Sequence, residues 1–293
     1  STFWRRTKTQ GSIQMKHDLS KATFIIPIKI ESDDRLRNVI TSVCYLLSNF
    51  KTTIMVKEVD EQSRFVMDAL PQIIECCDNI DGLLHSFEHT TAPTFHRQRV
   101  LNDMIMEAKT DIVVNYDCDI ILPVSSYVSA YNSILDKEAD VVYPYGDGDY
   151  QYRVMADDQL VSEFLNDDDY NLSILERKST KYDAKYGFCQ FFNREVYIEG
   201  GLENENFVAY APEDVERFYR FTTLGYSVGR MNTHVYHLEH ERTPNSWFTN
   251  PHMAENNNEW EKVQKMNGET LRKYITSQDY YKQRIDGQEQ VSL

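Results

Sequence analysis

Two carboxylates separated by one residue follow a short apolar run in the first half of the chain. Asp117 and Asp119 flank Cys118 directly after the β-branched segment 112–114. Carboxylates are hard oxygen ligands for Mg²⁺ or Mn²⁺, and such ions bind through one or two carboxylates together with substrate phosphates. In open α/β sheets, ligands collect at the carboxyl ends of strands, where this pair is expected to lie. The pattern favours a metal site over a surface turn that merely ends a strand.

A group of histidines offers nitrogen ligands for the same kind of ion. His237 and His240 are three positions apart, and His234 precedes them. If the segment is a strand end that runs into a loop, both imidazoles can converge on one ion. With Asp119 they would form a mixed nitrogen and oxygen site, which suits Mn²⁺ better than Mg²⁺. An H-x-x-H pair alone is more often an ordinary pair of polar residues, so the hypothesis depends on the clustering.

The segment Ala211-Pro212-Glu213-Asp214 opens a predicted helix. Proline at an early helical position and acids in the first turn are what helix capping predicts. The functional alternative is a carboxylate that deprotonates an acceptor hydroxyl. On the sequence alone, capping is the preferred interpretation.

The segment 95–102 combines an aromatic ring with basic residues at the start of another predicted helix. Arg97 could clamp a phosphate, and Phe95 could stack on a base. These side chains could equally form the exposed face of an amphipathic helix.

Composition excludes several classes of protein. The chain has 293 residues, a formal net charge of −15 and a charged fraction of 26%. An acidic chain of this kind is a poor nucleic-acid binder, because phosphate binding needs a basic face. No apolar run approaches the ~18–20 residues of a membrane span. The five cysteines form no C-x-x-C pair, which indicates a reducing, cytoplasmic setting.

The elements that position these motifs alternate between strands and helices. Short apolar runs predict strands, and apolar residues at helical spacing follow them. Short connections between strand and helix predict a parallel α/β sheet with right-handed crossovers. The predicted early strands are 22–28, 53–56, 82–87 and 111–115.

We divide the chain into four parts. Residues 1–20 are a flexible leader or an expression remnant, and the stretch up to Gln14 is left out of the fold prediction. Residues 21–125 form a donor-binding half, 126–250 an acceptor-binding and catalytic half, and 251–293 a helical tail. The acidic stretch 157–169 shows few signals of order and is predicted to be a solvated surface insertion.

Taken in order, four segments resemble the β-1,4-galactosyltransferase family and related bacterial family 2-type glycosyltransferases, which have the GT-A fold. Segment 95–102 (FHRQRVLN) resembles the family's F-x-R-x-x-x-L-N stretch, and 116–123 resembles its D-x-D-x-I-P stretch with one extra residue. Segment 187–214 is similar to its G…GG…E-D block, and 225–240 to the ending that supplies further metal ligands. The resemblance runs from about 22 to 250. It implies a Rossmann-like, mostly parallel sheet flanked by helices, with an acceptor-side insertion and a helical C-terminal tail.

The resemblance implies a metal site and its ligands. Asp119 would bind the ion, and Asp117 would support it or the donor ribose. His237 and His240 fall where the family has its other two ligands, although the first of those is often methionine.

The resemblance also implies the catalytic and donor-binding residues. Asp214 falls on the catalytic base and Glu213 on its acceptor-binding neighbour. The residues implied to contact the donor nucleotide are Pro27, Glu58, Phe95 and Arg97. The family's W-G-G before E-D is replaced by Tyr210-Ala211-Pro212, so Tyr210 is assigned to the donor side and the transferred sugar stays open.

The implied reaction is a single displacement that transfers a hexose or N-acetylhexosamine from a UDP-sugar, with Mn²⁺ or Mg²⁺ as cofactor. The acceptor is a glycan hydroxyl, with lipid-linked glycans included, and the implied enzyme is of the bacterial cytoplasmic type, with peripheral contact to the inner membrane left open. A retaining transferase of the same fold is an alternative. A catalytically inactive sugar- or nucleotide-binding module and a nucleotide-sugar hydrolase are the others.

Overall fold

The computed structural model describes residues 15–291, so the predicted leader up to Gln14 lies outside the described residues. The strands of this part are β1 His17–Ile28, β2 Phe50–Asp60, β3 Leu83–His89, β4 Ile112–Tyr116, β5 Ile120–Ile121, β6 Val141–Tyr143, β7 Gln151–Val154, β8 Ser179–Tyr182, β9 Cys189–Asn193, β10 Val228–Arg230 and β11 Val235–Leu238. The α-helices are α1 Asp33–Asn49, α2 Leu70–Cys76, α3 Arg97–Glu107, α4 Val124–Leu135, α5 Asp158–Asn166, α6 Ser173–Glu176, α7 Arg194–Glu199, α8 Glu213–Thr223, α9 Met253–Val263, α10 Gly268–Thr276 and α11 Asp279–Val291. A π-helical turn, Phe65–Ala69, leads into α2.

The central sheet explains the apolar runs of the sequence. Its seven strands lie in the order β10-β6-β9-β4-β1-β2-β3. All neighbours are parallel except β9, which is antiparallel to both β4 and β6. Phe24, Ile25 and Ile26 of β1 are fully buried because helices cover the sheet on both faces. The predicted α/β class, with a mostly parallel sheet flanked by helices, is confirmed, and the first strand begins at His17 rather than at 22.

A smaller sheet beside the central one has the order β5-β11-β7-β8. In it β11 runs antiparallel to the two-residue strand β5, with His237 directly opposite Ile120. The Leu238 amide donates to the Asp119 carbonyl at 2.8 Å, which extends this pairing by one residue. The register therefore brings the histidine segment next to the D-x-D segment, although more than a hundred residues separate them.

The acidic stretch 157–169 is ordered, so the prediction of a solvated insertion was wrong. Asp157 caps α5 by accepting from the Leu160 amide at 2.8 Å. The apolar residues of α5 recur at helical spacing and are buried against α1, and the Phe164 ring lies 5.8 Å from that of Tyr45. The prediction weighed the number of acids above this periodicity, whereas the apolar stripe decides where the helix packs.

The C-terminal helices pack back onto the rest of the protein. Leu271 and Ile275 of α10 are fully buried. Gly201, with φ +103°, lies so close to α10 that a Cβ would sit 2.5 Å from the Ile275 side chain, which explains why glycine occupies this turn. Within residues 15–291, no helix combines the length and the apolar character that crossing a membrane requires.

Candidate active site

The predicted site residues meet in one cavity at the carboxyl ends of β1 and β4. The cavity has a volume of about 410 Å³. Every residue assigned from the sequence to metal binding, catalysis or donor binding lines it, except Glu58. Its position agrees with the general rule that open α/β sheets bind ligands beyond the carboxyl ends of their strands.

Three side chains in this cavity converge on one point. Asp119 Oδ2 lies 3.2 Å from His237 Nε2 and 3.1 Å from His240 Nε2. One ligand atom from each residue lies within 4.8 Å of the others. The pairing of β5 with β11 sets this geometry, because it fixes His237 beside the residue that follows Asp119.

The other ring nitrogen of each histidine already has a partner. His237 Nδ1 lies 3.2 Å from Glu239 Oε1, and His240 Nδ1 lies 2.8 Å from the Glu241 carbonyl. Partners of this kind hold the proton on Nδ1 and leave the Nε2 lone pair for a metal. Asp119 Oδ1 is buried without a hydrogen-bond partner, so it too is available as a ligand. The residues present therefore fit a divalent cation such as Mn²⁺.

The electrostatics of the cluster agree with a site for a cation. Burial opposes a charge on His237, but Asp119 and Glu239 outweigh it and raise its pKa to about 9. Burial also disfavours the Asp119 charge, yet the two histidines hold the pKa of that carboxyl well below its usual range. A positive charge between these groups is therefore stabilised by the surrounding protein.

Asp117 faces a different partner from Asp119. Its Oδ1 accepts from Arg97 Nη2 at 2.5 Å, and the same nitrogen donates to Asn115 Oδ1 at 3.2 Å. Burial raises the pKa of Asp117 despite the attraction of Arg97. The two acids of the D-x-D segment thus have separate roles: Asp119 belongs to the metal cluster, whereas Asp117 orients a guanidinium in the cavity.

Glu213 and Asp214 line the cavity at the start of α8. Glu213 Oε2 accepts from the Ala211 amide at 2.6 Å. Burial and the neighbouring Asp214 charge raise the pKa of Glu213 to about 8, so this carboxyl is mostly protonated at neutral pH. Gly187 faces the pair, and a Cβ there would lie 3.5 Å from Asp214 Oδ2. One neutral and one more acidic carboxyl side by side provide a hydrogen-bond donor next to a base.

The donor-side residues fall into two groups. Pro27, Phe95 and Tyr210 lie in the cavity wall, and the Phe95 amide donates to Asn245 Oδ1 at 2.8 Å. Glu58 is fully buried outside the cavity. Its carboxylate accepts from the Ser63 hydroxyl at 2.5 Å and from the Phe65 amide at 3.0 Å, so it holds the π-helical turn after β2. The structure does not bring Glu58 to the site.

Several residues that line the cavity were not predicted from the sequence. Arg35 lies in the first turn of α1, and its position after β1 could have identified it by the same strand-end rule that applied to Asp119. Arg217 lies one turn after Glu213 and forms a buried ion pair with Glu203. Trp247 lies in an irregular segment without periodicity, which gave no signal.

Comparisons with known proteins connect this architecture to solved structures. No family model and no curated protein matches the chain. A mannosyltransferase, PcManGT from Pyrobaculum calidifontis, in complex with GDP-Man and Mn²⁺ is 16% identical, with a TM-score of 0.48, over 75% of this chain and 56% of that one. The catalytic domain of Drosophila β1,4-galactosyltransferase 7 with xylobiose is 14% identical, with a TM-score of 0.44, over 76% and 72%.

A third similar structure is GalNAc-T7 with UDP, GalNAc and Mn²⁺, which is 13% identical, with a TM-score of 0.46, over 79% of this chain and 45% of that one. The chain therefore spans about half the length of two of the three proteins. The similarity is one of fold, and at that level it confirms the resemblance to GT-A glycosyltransferases that the sequence motifs predict.

Proposed function

We propose that this protein is a metal-dependent glycosyltransferase that moves a sugar from a nucleotide diphosphate sugar to a hydroxyl of a glycan. One observation carries the proposal: the ligand atoms of Asp119, His237 and His240 converge in the same cavity as the carboxyl pair Glu213 and Asp214. A metal cluster and a base on opposite strand ends of one cavity are what the transfer of a glycosyl group from a diphosphate requires.

The donor is held by the side of the cavity near β1 and β4. Arg97, oriented by Asp117 and Asn115, presents its guanidinium to the cavity and can bind a phosphate oxygen. Phe95 and Pro27 offer apolar surface to the base, for which we propose uracil. A divalent cation held by Asp119, His237 and His240 would neutralise the charge of the diphosphate leaving group.

The carboxyl pair supplies the proton chemistry. Asp214 accepts the proton of the acceptor hydroxyl while the acceptor oxygen bonds to the anomeric carbon. The bond from that carbon to the diphosphate oxygen breaks, and the nucleoside diphosphate leaves. Glu213, whose pKa lies near 8, keeps its proton at neutral pH and can donate a hydrogen bond to the acceptor. Attack from the face opposite the leaving group inverts the anomeric centre.

Donor binding is tested by calorimetric titration of the wild type and Asp119→Ala with UDP and with GDP, each with and without Mn²⁺. We expect UDP to bind only with the metal, and the variant to bind at least about 100-fold more weakly, because one of the three ligands is lost. Glu88→Gln is the matched control, since Glu88 pairs with Arg99 outside the cavity. If no nucleotide binds the wild type under any metal condition, the proposal fails.

Catalysis is tested separately with Asp214→Asn and a UDP-sugar panel. Loss of the base should reduce transfer by about 100- to 10,000-fold while nucleotide binding persists. Unchanged behaviour of Asp214→Asn would instead indicate a binding module. The anomeric configuration of the product, read by NMR, distinguishes inversion from retention. A turnover that no acceptor accelerates would indicate a hydrolase.

A further inference from the structure

Three aromatic rings form an exposed cluster at the mouth of the cavity, which we call the aromatic platform: Tyr210, Trp247 and Phe248. The Tyr210 ring lies 6.4 Å from that of Trp247 and 5.5 Å from that of Phe248, and the last two lie 5.1 Å apart. Trp247 is 42% exposed and Phe248 63% exposed. Large adjoining rings left in water next to a cavity are characteristic of a binding surface.

The loop that carries Tyr210 is held rigidly. Ala209 and Ala211, on either side of Tyr210, have φ values of +59° and +60°, which are unfavourable for alanine. Two buried amides from the following segment hold the loop in this conformation. Their hydrogen bonds are Asn250 Nδ2 to the carbonyls of Val208 (2.8 Å) and Tyr210 (3.0 Å), and Asn256 Nδ2 to those of Val208 and Ala211 (3.0 Å each).

The same segment holds the second part of the platform. The Asn250 amide donates to the Trp247 carbonyl at 3.0 Å, so one residue links the Tyr210 loop to the Trp247 turn. The Arg242 guanidinium lies 5.5 Å from the centre of the Trp247 ring and covers part of it. The exposed rings are therefore preorganised, which reduces the entropic cost of binding a ligand on them.

The platform adjoins the carboxyl pair. Tyr210 and Trp247 line the cavity that contains Glu213 and Asp214. The Ala211 amide, one residue after Tyr210, donates to Glu213 Oε2 at 2.6 Å. A molecule lying on these rings is thus placed next to the proposed base, whereas Phe95 and its partner Asn245 lie on the donor side.

We propose that the aromatic platform is the acceptor subsite and that it binds a pyranose ring by stacking against the ring's C–H face. A pyranoside combines an apolar face with polar edges, so it can contact the rings while its hydroxyls point to Glu213 and Asp214. The stacking favours β-linked glucose- or galactose-configured sugars, because their axial C–H bonds form a continuous apolar face. This proposal rests on the proposed glycosyltransferase function.

The experiment measures saccharide binding by saturation-transfer NMR in the presence of UDP and Mn²⁺. The probes are the methyl β-glycosides of glucose, galactose and N-acetylglucosamine. We expect at least one to bind the wild type, with magnetisation transferred mainly to its axial protons. Trp247→Ala and Phe248→Ala should each weaken that binding by about 5- to 10-fold, more than they weaken UDP binding, and Trp247→Phe should restore part of it. Phe87→Ala is the matched control, since Phe87 is 40% exposed but lies on β3 away from the cavity.

Four results would overturn the proposal. These are no binding of any probe to the wild type, equal saccharide binding by all variants, a loss of UDP affinity as large as the loss of saccharide affinity, and sedimentation with phosphatidylcholine–phosphatidylglycerol vesicles that Phe248→Ala abolishes. The third result would make the platform a base-stacking surface, and the fourth a membrane contact. Failure of the proposed function is distinguishable, because then the wild type does not bind UDP with Mn²⁺ at all.

Discussion

Glu239 is expected to control the affinity of the site for Mn²⁺ without touching the ion. Its Oε1 lies 3.2 Å from His237 Nδ1 and 3.2 Å from Arg153 Nε, and its Oε2 lies 3.0 Å from Arg242 Nη2. The carboxylate fixes the tautomer in which Nδ1 carries the proton, and so leaves Nε2 free to coordinate. Two arginines in turn fix the orientation of the carboxylate.

The contacts predict an order of variants. Loss of such an outer partner typically costs about 10- to 100-fold in metal affinity, or about 1.4–2.7 kcal/mol. Glu239→Ala removes the acceptor completely and is expected near about 100-fold. Glu239→Gln keeps an oxygen for His237 but places an amide NH₂ against the donor Arg242, so it is expected near about 10-fold.

The assay is a calorimetric Mn²⁺ titration of the UDP complex at one pH, with Glu88→Gln as control. Circular dichroism of each variant checks that the fold is retained. A Glu239→Ala protein that binds Mn²⁺ as tightly as the wild type would refute the reasoning, because His237 would then not need its partner. A glutamine variant weaker than the alanine variant would contradict the assigned tautomer.

Three other results are expected. The pKa of Glu213 is raised to about 8 from 4.5, so the folded state holds this proton more tightly than the unfolded chain; its stabilising contribution is complete below pH 4.5 and is lost as the pH rises through 8. Glu213→Gln should therefore gain on the order of 2 kcal/mol over the wild type between pH 5 and 9 in urea titrations, and equal pH profiles would contradict this. Asn256→Ala leaves the carbonyls of Val208 and Ala211 unpaired and should lower the unfolding free energy by about 2–4 kcal/mol, again measured in urea. Phe164→Ala should cost about 3–5 kcal/mol in the same assay, and Phe164→Leu clearly less, whereas a loss below about 1 kcal/mol would mean that α5 does not belong to the core.

The sequence by itself determined the elements and the chemical types of the ligands. Strand and helix periodicity are local, so the apolar run that ends before Asp117 predicts a buried strand wherever the chain places it. The rule that ligands collect at carboxyl ends of strands then places Asp119 at a site. Local periodicity also existed in α5, and it was outweighed by the acids around it.

The tertiary structure decided which of these residues meet. His237 lies beside Asp119 only because β11 pairs with β5 in one register, and a shift by one residue would turn the imidazole to the other face. Glu58 ends a strand as Asp119 does, yet it turns into the π-helical turn after β2 and leaves the cavity. The amides of Asn250 and Asn256 hold the Tyr210 loop across some 40 residues of sequence. These contacts join segments far apart in the chain, and their geometry depends on how all the elements pack together, so no local pattern in the sequence encodes them.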